Sequence, residues 1–230
     1  MRRVWLALLF ACSLRGKAEV PIFNYHSVGE AASNYMVPVA AFEEELDWLA
    51  GAGFRTITLH ELAESRAGHG VLPKRAVILT FDDGRSDALN VVLPLLRKRG
   101  MRATFFIITG RVGEPGFLTW EDVRALAAAG MEIGSHTQTH ARLTDLTDEA
   151  AEEELKGSKA RLEKEIGQPV EILAYPFNAV RSHTASLAAA AGYRVAVAGS
   201  AHGRSGLLRL RRFPVNGFTS LSEIQQLTAP

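Results

Sequence analysis

A chain of 230 residues, 47% hydrophobic and 22% charged, can bury one sizeable core and is most simply one domain. A formal net charge of +1 removes any bulk electrostatic case for nucleic acid or an anionic membrane surface. The single cysteine, Cys12, excludes an internal disulfide framework.

Taken in chain order, Met1-Arg2-Arg3 and the apolar run from Val4 to Ala11 have the form of an export signal. The run is too short to span a membrane. Residues 1–18 are therefore expected to be a leader and 19–230 the folded unit, placed in the periplasm, the cell envelope or outside the cell. Leu9-Phe10-Ala11 before Cys12 resembles a lipoprotein cleavage box, which would anchor the chain through a lipidated Cys12; a cut near Ala18 is the competing reading. A strand is predicted over 20–25, ending in Asn24-Tyr25-His26-Ser27-Val28-Gly29. Next comes a helix over 38–52, with Phe42, Leu46 and Leu49 inward and Glu43-Glu44-Glu45 and Asp47 towards solvent. A strand over 54–59 and a short helix over 60–67 follow.

The run 76–81 is continuously apolar, the pattern of a parallel strand buried on both faces, and it stops in Asp82-Asp83-Gly84. Beyond it are a helix over 86–99, a strand over 102–109, a helix over 120–129 and a short strand that runs into Ser135-His136-Thr137-Gln138-Thr139-His140. The segment 147–166 reads as a long, charged, solvent-facing helix. A strand over 171–177, an alanine-rich helix over 182–191, a strand over 193–198, a last strand over 207–215 and a helix from 222 complete the chain. Such alternation implies a parallel sheet covered by helices, either open or closed into a barrel. Candidate ligands at the C-terminal ends of separate strands favour the barrel.

Adjacent carboxylates at the end of a buried strand repel each other and are costly to desolvate without a cation or a donor. A simple Asp-Gly turn is the bland alternative. His136 and His140, four apart, share a side under either backbone period. Two imidazoles with one carboxylate make the ligand set of a catalytic zinc or a similar divalent ion.

Thr80-Phe81-Asp82-Asp83-Gly84 and Ser135-His136-Thr137-Gln138-Thr139-His140 resemble the first two motifs of the polysaccharide deacetylases, the NodB-like carbohydrate esterases, and the likeness runs from about Val20 to near the C-terminus. It implies an α/β fold, an irregular, distorted β/α barrel of about seven strands. It also implies removal of acetyl from N-acetylglucosamine units of a glycan, with Asp82 as catalytic base and Asp83, His136 and His140 as metal ligands. The expected ion is Zn2+, with Co2+ or Ni2+ also suited. The third motif, Ala174-Tyr175-Pro176-Phe177-Asn178, places the Phe177 backbone N–H as oxyanion donor. It has Ala174 where many members carry the arginine that orients the base. Arg212 could supply that contact, or be a surface arginine.

The family's C-terminal histidine has no counterpart here. His26, in Tyr25-His26-Ser27-Val28, is the first candidate for the acid and His202 the second. Trp120 is either a sugar platform or a packing residue. The expected partner is an N-acetylated glycan: a β-1,6-linked exopolysaccharide, peptidoglycan or a chitin-type oligomer. The rival readings are a carbohydrate-binding barrel that has lost turnover and a metal hydrolase of small amides or O-acetyl esters.

Overall fold

The computed structural model describes residues 19–199 and 206–229. Its main sheet is wholly parallel. β1 (Ile22–Tyr25) pairs with the apolar strand that ends before Asp82, and β2 (Ser27–Gly29) and β3 (Met36–Pro38) form a separate small pair. β4 (Arg55–Thr56) flanks β5 (Ala76–Phe81), the partner of β1. Outward from β5 run β6 (Thr104–Ile107), β7 (Glu132–Ser135), β8 (Ile172–Ala174), β9 (Val195–Ala198) and β10 (Leu210–Arg211). β11 (Phe213–Pro214) lies at the other end of the order, against β1.

β10 and β11 are the two halves of one run, separated only by Arg212. The first half pairs with β9 through Leu210 and Val197, the second with β1 through Phe213 and Phe23. The Arg212 N–H donates to the Ala198 carbonyl, and the Val215 N–H donates to that of Asn24. This run therefore closes the ring as a seventh stave. A regular strand over 207–215 does not form, because one run has to serve two neighbours and bends at Arg212 between them.

Strand alternation sorts the core into an inside and an outside. Ile22, Ile78, Phe106, Ile172, Val195, Val197 and Leu210 cluster within the barrel. Leu59, Leu62 and Ala63 of α2 (Leu59–Arg66) close its lower end. Phe23, Tyr25, Val77, Leu79 and Phe81 face outward onto Phe42, Leu46 and Leu49 of α1 (Val39–Gly51). Gly134 makes room for the interior filling: a Cβ there would lie 2.6 Å from the Phe106 ring. The outer layer continues with α3 (Leu93–Lys98), α4 (Trp120–Ala128), α5 (Asp148–Ile166), α6 (Ser182–Ala190) and α7 (Leu221–Leu227).

Three expectations need correction. The strand predicted over 54–59 shrinks to β4, because Thr58 and Glu61 form a capping box that starts α2 early. Glu45 is not on a solvent face; it is 2% exposed and accepts the Tyr25 hydroxyl at 2.9 Å. α5 is not solvent-facing along its whole length either, since Glu154 and Ser158 are buried.

Candidate active site

Asp82 and Asp83 follow β5, the His136 segment follows β7 and Phe177 follows β8, so all reach the C-terminal rim of the barrel. The turn separates the paired acids. Asp83 has φ 75° and Gly84 φ 72°, a reversal that sends Asp82 inward, to 4% exposure, and leaves the Asp83 side chain at 27%.

Arg212 is 1% exposed and meets Asp82 with two parallel bonds, Nη1 to Oδ1 and Nη2 to Oδ2, both 2.7 Å. Its cation also reaches Thr80 Oγ1 at 3.1 Å and Asn178 Oδ1 at 3.3 Å, and it sits over the Phe106 ring. Burial alone would raise the Asp82 carboxyl. The Arg212 guanidinium beside it, with His136 and His26 adding to the field, holds it well below the usual carboxylate range. Asp82 is thus an ionised, fixed carboxylate at neutral pH, with its orientation set by a planar fork. Arg212, for which a surface position was the alternative, lies in the interior.

His136 is 2% exposed and its Nδ1 lies 2.8 Å from the Ala174 carbonyl. That contact requires an N–H at Nδ1 and leaves the Nε2 lone pair free, the arrangement common to metal-binding histidines. His136 Nε2 is 3.7 Å and His140 Nε2 3.8 Å from Asp83 Oδ1. The three ligand atoms all lie within 4.8 Å of one another. A tetrahedral ion about 2.1 Å from each ligand would set them roughly 3.4 Å apart, so the group fits a divalent ion with little adjustment. Burial, followed by the neighbouring His136, pushes the His140 imidazole down and so favours its neutral, ligating form.

The non-glycine residues with positive φ among those described are Asp83, Thr137, His140, Phe177 and Asn178. All five belong to the rim loops that carry the candidate residues. Backbone strain of roughly 1–3 kcal/mol each persists only where surrounding contacts enforce it, and here it gathers at one place. Phe177 is 54% exposed, and its ring stands 4.7 Å from that of His140.

His26 follows β1 at the same rim, half-buried, with its ring edge-on to Tyr35 at 5.2 Å. His202, the second acid candidate, lies outside the described residues, as do Cys12 and the leader. Trp120 opens α4 and packs under Arg161, whose guanidinium lies 4.9 Å from the ring; it is a packing residue.

Sequence reasoning passed over Tyr35, Asp87 and Glu154. Asp87 Oδ2 accepts the Val28 N–H at 2.8 Å and so steadies the chain just after His26. Periodicity carries no signal for such contacts.

The family model for polysaccharide deacetylases matches residues 69–196. YxkH of Bacillus subtilis, assigned to the polysaccharide deacetylases, is 32% identical over 202 residues, covering 86% of this chain and 72% of that protein. A poly-β-1,6-N-acetyl-D-glucosamine N-deacetylase of Staphylococcus aureus is 27% identical over 167 residues, with 66% of this chain and 57% of the relative covered. The deacetylase PplD of Streptococcus pyogenes, solved with acetate, superposes with a TM-score of 0.84 at 28% identity, over 92% of this chain and 98% of that one. With its family motifs set at one barrel rim, the chain belongs to the polysaccharide deacetylases, hydrolases that act on amide bonds.

Proposed function

We propose that this protein is an exported, metal-dependent N-deacetylase that releases acetate from N-acetylglucosamine units of a glycan, with β-1,6-linked polymer as the preferred substrate. The observation that carries the reading is the convergence of an ionised, arginine-held Asp82 with the Asp83, His136 and His140 group. The β-1,6 linkage rests on the staphylococcal relative. Three of the exposed large apolar side chains, Tyr35, Phe177 and Phe218, are aromatic and belong to loops of this rim, where faces of sugar rings can stack.

Asp83, His136 and His140 would hold the ion, zinc by ligand type, with cobalt or nickel as substitutes. When bound, such an ion acidifies a water and polarises the acetamide carbonyl. Asp82 takes the proton from the attacking water. Arg212 keeps its carboxylate charged and aimed. The Phe177 N–H donates to the developing oxyanion, and His26 delivers a proton to the departing nitrogen. The leader at 1–18, ending near Ala18 or before a lipidated Cys12, directs the chain out of the cytoplasm.

The test is acetate release by purified protein from β-1,6-linked, chitin-type and peptidoglycan oligomers, with and without chelator, beside Asp82→Asn. Release that needs both the metal and Asp82 supports the proposal. Bound metal without release from any glycan would replace it with a hydrolase of small amides or esters. Neither binding nor release would leave an inactive carbohydrate-binding barrel.

A further inference from the structure

One wall of the loop that carries His140 is the helix α5. Glu154 of α5 is 9% exposed, and its carboxylate is fully engaged by that loop. Oε2 accepts the Gln138 N–H at 2.8 Å and the Thr139 N–H at 2.9 Å, and Oε1 accepts the Thr139 hydroxyl at 2.6 Å. One turn further along, Gly157 leaves room for the Gln138 side chain, which a Cβ would meet at 2.5 Å. Gln138 Nε2 donates to the Glu153 carbonyl at 2.9 Å. Ser158, on the same face, lies 2.7 Å from the Ser135 hydroxyl, which in turn accepts the Thr137 N–H at 3.1 Å.

From the opposite side the Gly110 N–H donates to the Gln138 carbonyl at 2.8 Å and the Thr109 N–H to that of Thr137 at 3.2 Å. At Gly110 a Cβ would lie 2.6 Å from the Gln138 oxygen. Between these two walls the loop holds left-handed backbone at both Thr137 and His140. That conformation is uncommon for any non-glycine residue and is an outlier for β-branched Thr137. Positions 154, 157 and 158 share one helical face, so a single surface of α5 fixes the segment from Ser135 to His140.

We infer that Glu154 is a positioning residue for the metal site: its carboxylate holds the Gln138–Thr139 backbone in the strained form that aims His140 at Asp83 and His136. The inference rests on the metal reading of that group. An anionic acceptor shared by two N–H groups and a hydroxyl is stronger than a neutral one. Without it, the loop relaxes from its two left-handed residues. His140 then has to be re-ordered each time an ion binds.

The experiment measures Zn2+ and Co2+ affinity of the full chain by competition with a chromophoric chelator, together with the visible spectrum of the Co2+ form. Glu154→Ala is expected to lose about 10–100-fold in zinc affinity, and its acetate release to recover at saturating zinc. Glu154→Gln keeps an acceptor for both N–H groups and should lose only about threefold. Thr139→Val removes one bond without touching the carboxylate and should lose about fivefold; it serves if Glu154→Ala does not fold. Wild-type affinity in a folded Glu154→Ala or in Thr139→Val would overturn the clamp while leaving the metal site standing. A wild-type protein that binds neither ion would overturn the metal reading, and the clamp with it.

Discussion

Each end of the barrel holds an enclosed carboxylate, and the two are treated in opposite ways. At the rim, Asp82 faces the Arg212 guanidinium through two bonds and stays far below the usual carboxylate range despite its burial. At the base, Glu132 accepts the Leu59 and His60 N–H groups, both at 2.9 Å, and the Thr104 hydroxyl. Among the described residues no cation lies within ion-pair distance of it, and burial raises its carboxyl. Dipoles at the start of α2 are enough for a group whose task is to hold a helix end. They are not enough for the base proposed above, which has to be charged whenever a water arrives. Among the described residues, the arginine buried as a whole residue, Arg212, stands beside the carboxylate whose charge the proposed reaction would use.

The largest break in this comparison is Asp82→Asn, which keeps the shape and removes the proposed base. Acetate release should fall about 10^3-fold or more, while metal content and the far-ultraviolet dichroism stay unchanged. Arg212→Met comes next, because it leaves Asp82 buried without its cation. Urea denaturation should show a loss of about 3–5 kcal/mol. The acid limb of kcat/KM should move to higher pH as the carboxyl rises. In the wild type the contribution of the pair is complete above the ordinary carboxylate value and is lost as pH falls from there through the depressed folded value of Asp82.

Glu45 sharpens the comparison from a third position. Burial, only partly countered by the Tyr25 hydroxyl, pushes it up to about 7. The stability that its proton confers is full below the ordinary carboxylate value and is lost as pH rises through about 7. Glu45→Gln should thus stabilise the protein at pH 8 by about 1–3 kcal/mol, with no gain near pH 4, in paired denaturant titrations. Smaller still is Tyr35→Ala. It should raise KM for oligomers about threefold and leave kcat for a short acetamide unchanged.

Much of the rim was legible in the sequence because its chemistry is local. Asp82-Asp83-Gly84 stops an apolar strand, and His136 and His140 are four residues apart, so strand, turn and candidate ligands lie within two short segments. Arg212 was legible only as one of two alternatives, since its partner is 130 residues away. Glu45 was misplaced because a helical wheel sees the acidic run but not the Tyr25 hydroxyl above it. Glu154 was hidden among the charges of α5 for the same reason. One sign of it was present: Gly157, inside an otherwise strong helix, weakens that helix unless something packs against it.

The bend at Arg212 also ties closure of the barrel to the pairing of Asp82. β1 and β9 are the two open edges of the sheet until residues 210–214 arrive between them, and exposed edges invite pairing with other chains. The same five residues bring the only cation that faces Asp82 with hydrogen bonds among the described residues. Without this stave in place the sheet is open and Asp82 lacks its cation. Closure of the ring and the pairing of Asp82 with its cation are thus one event.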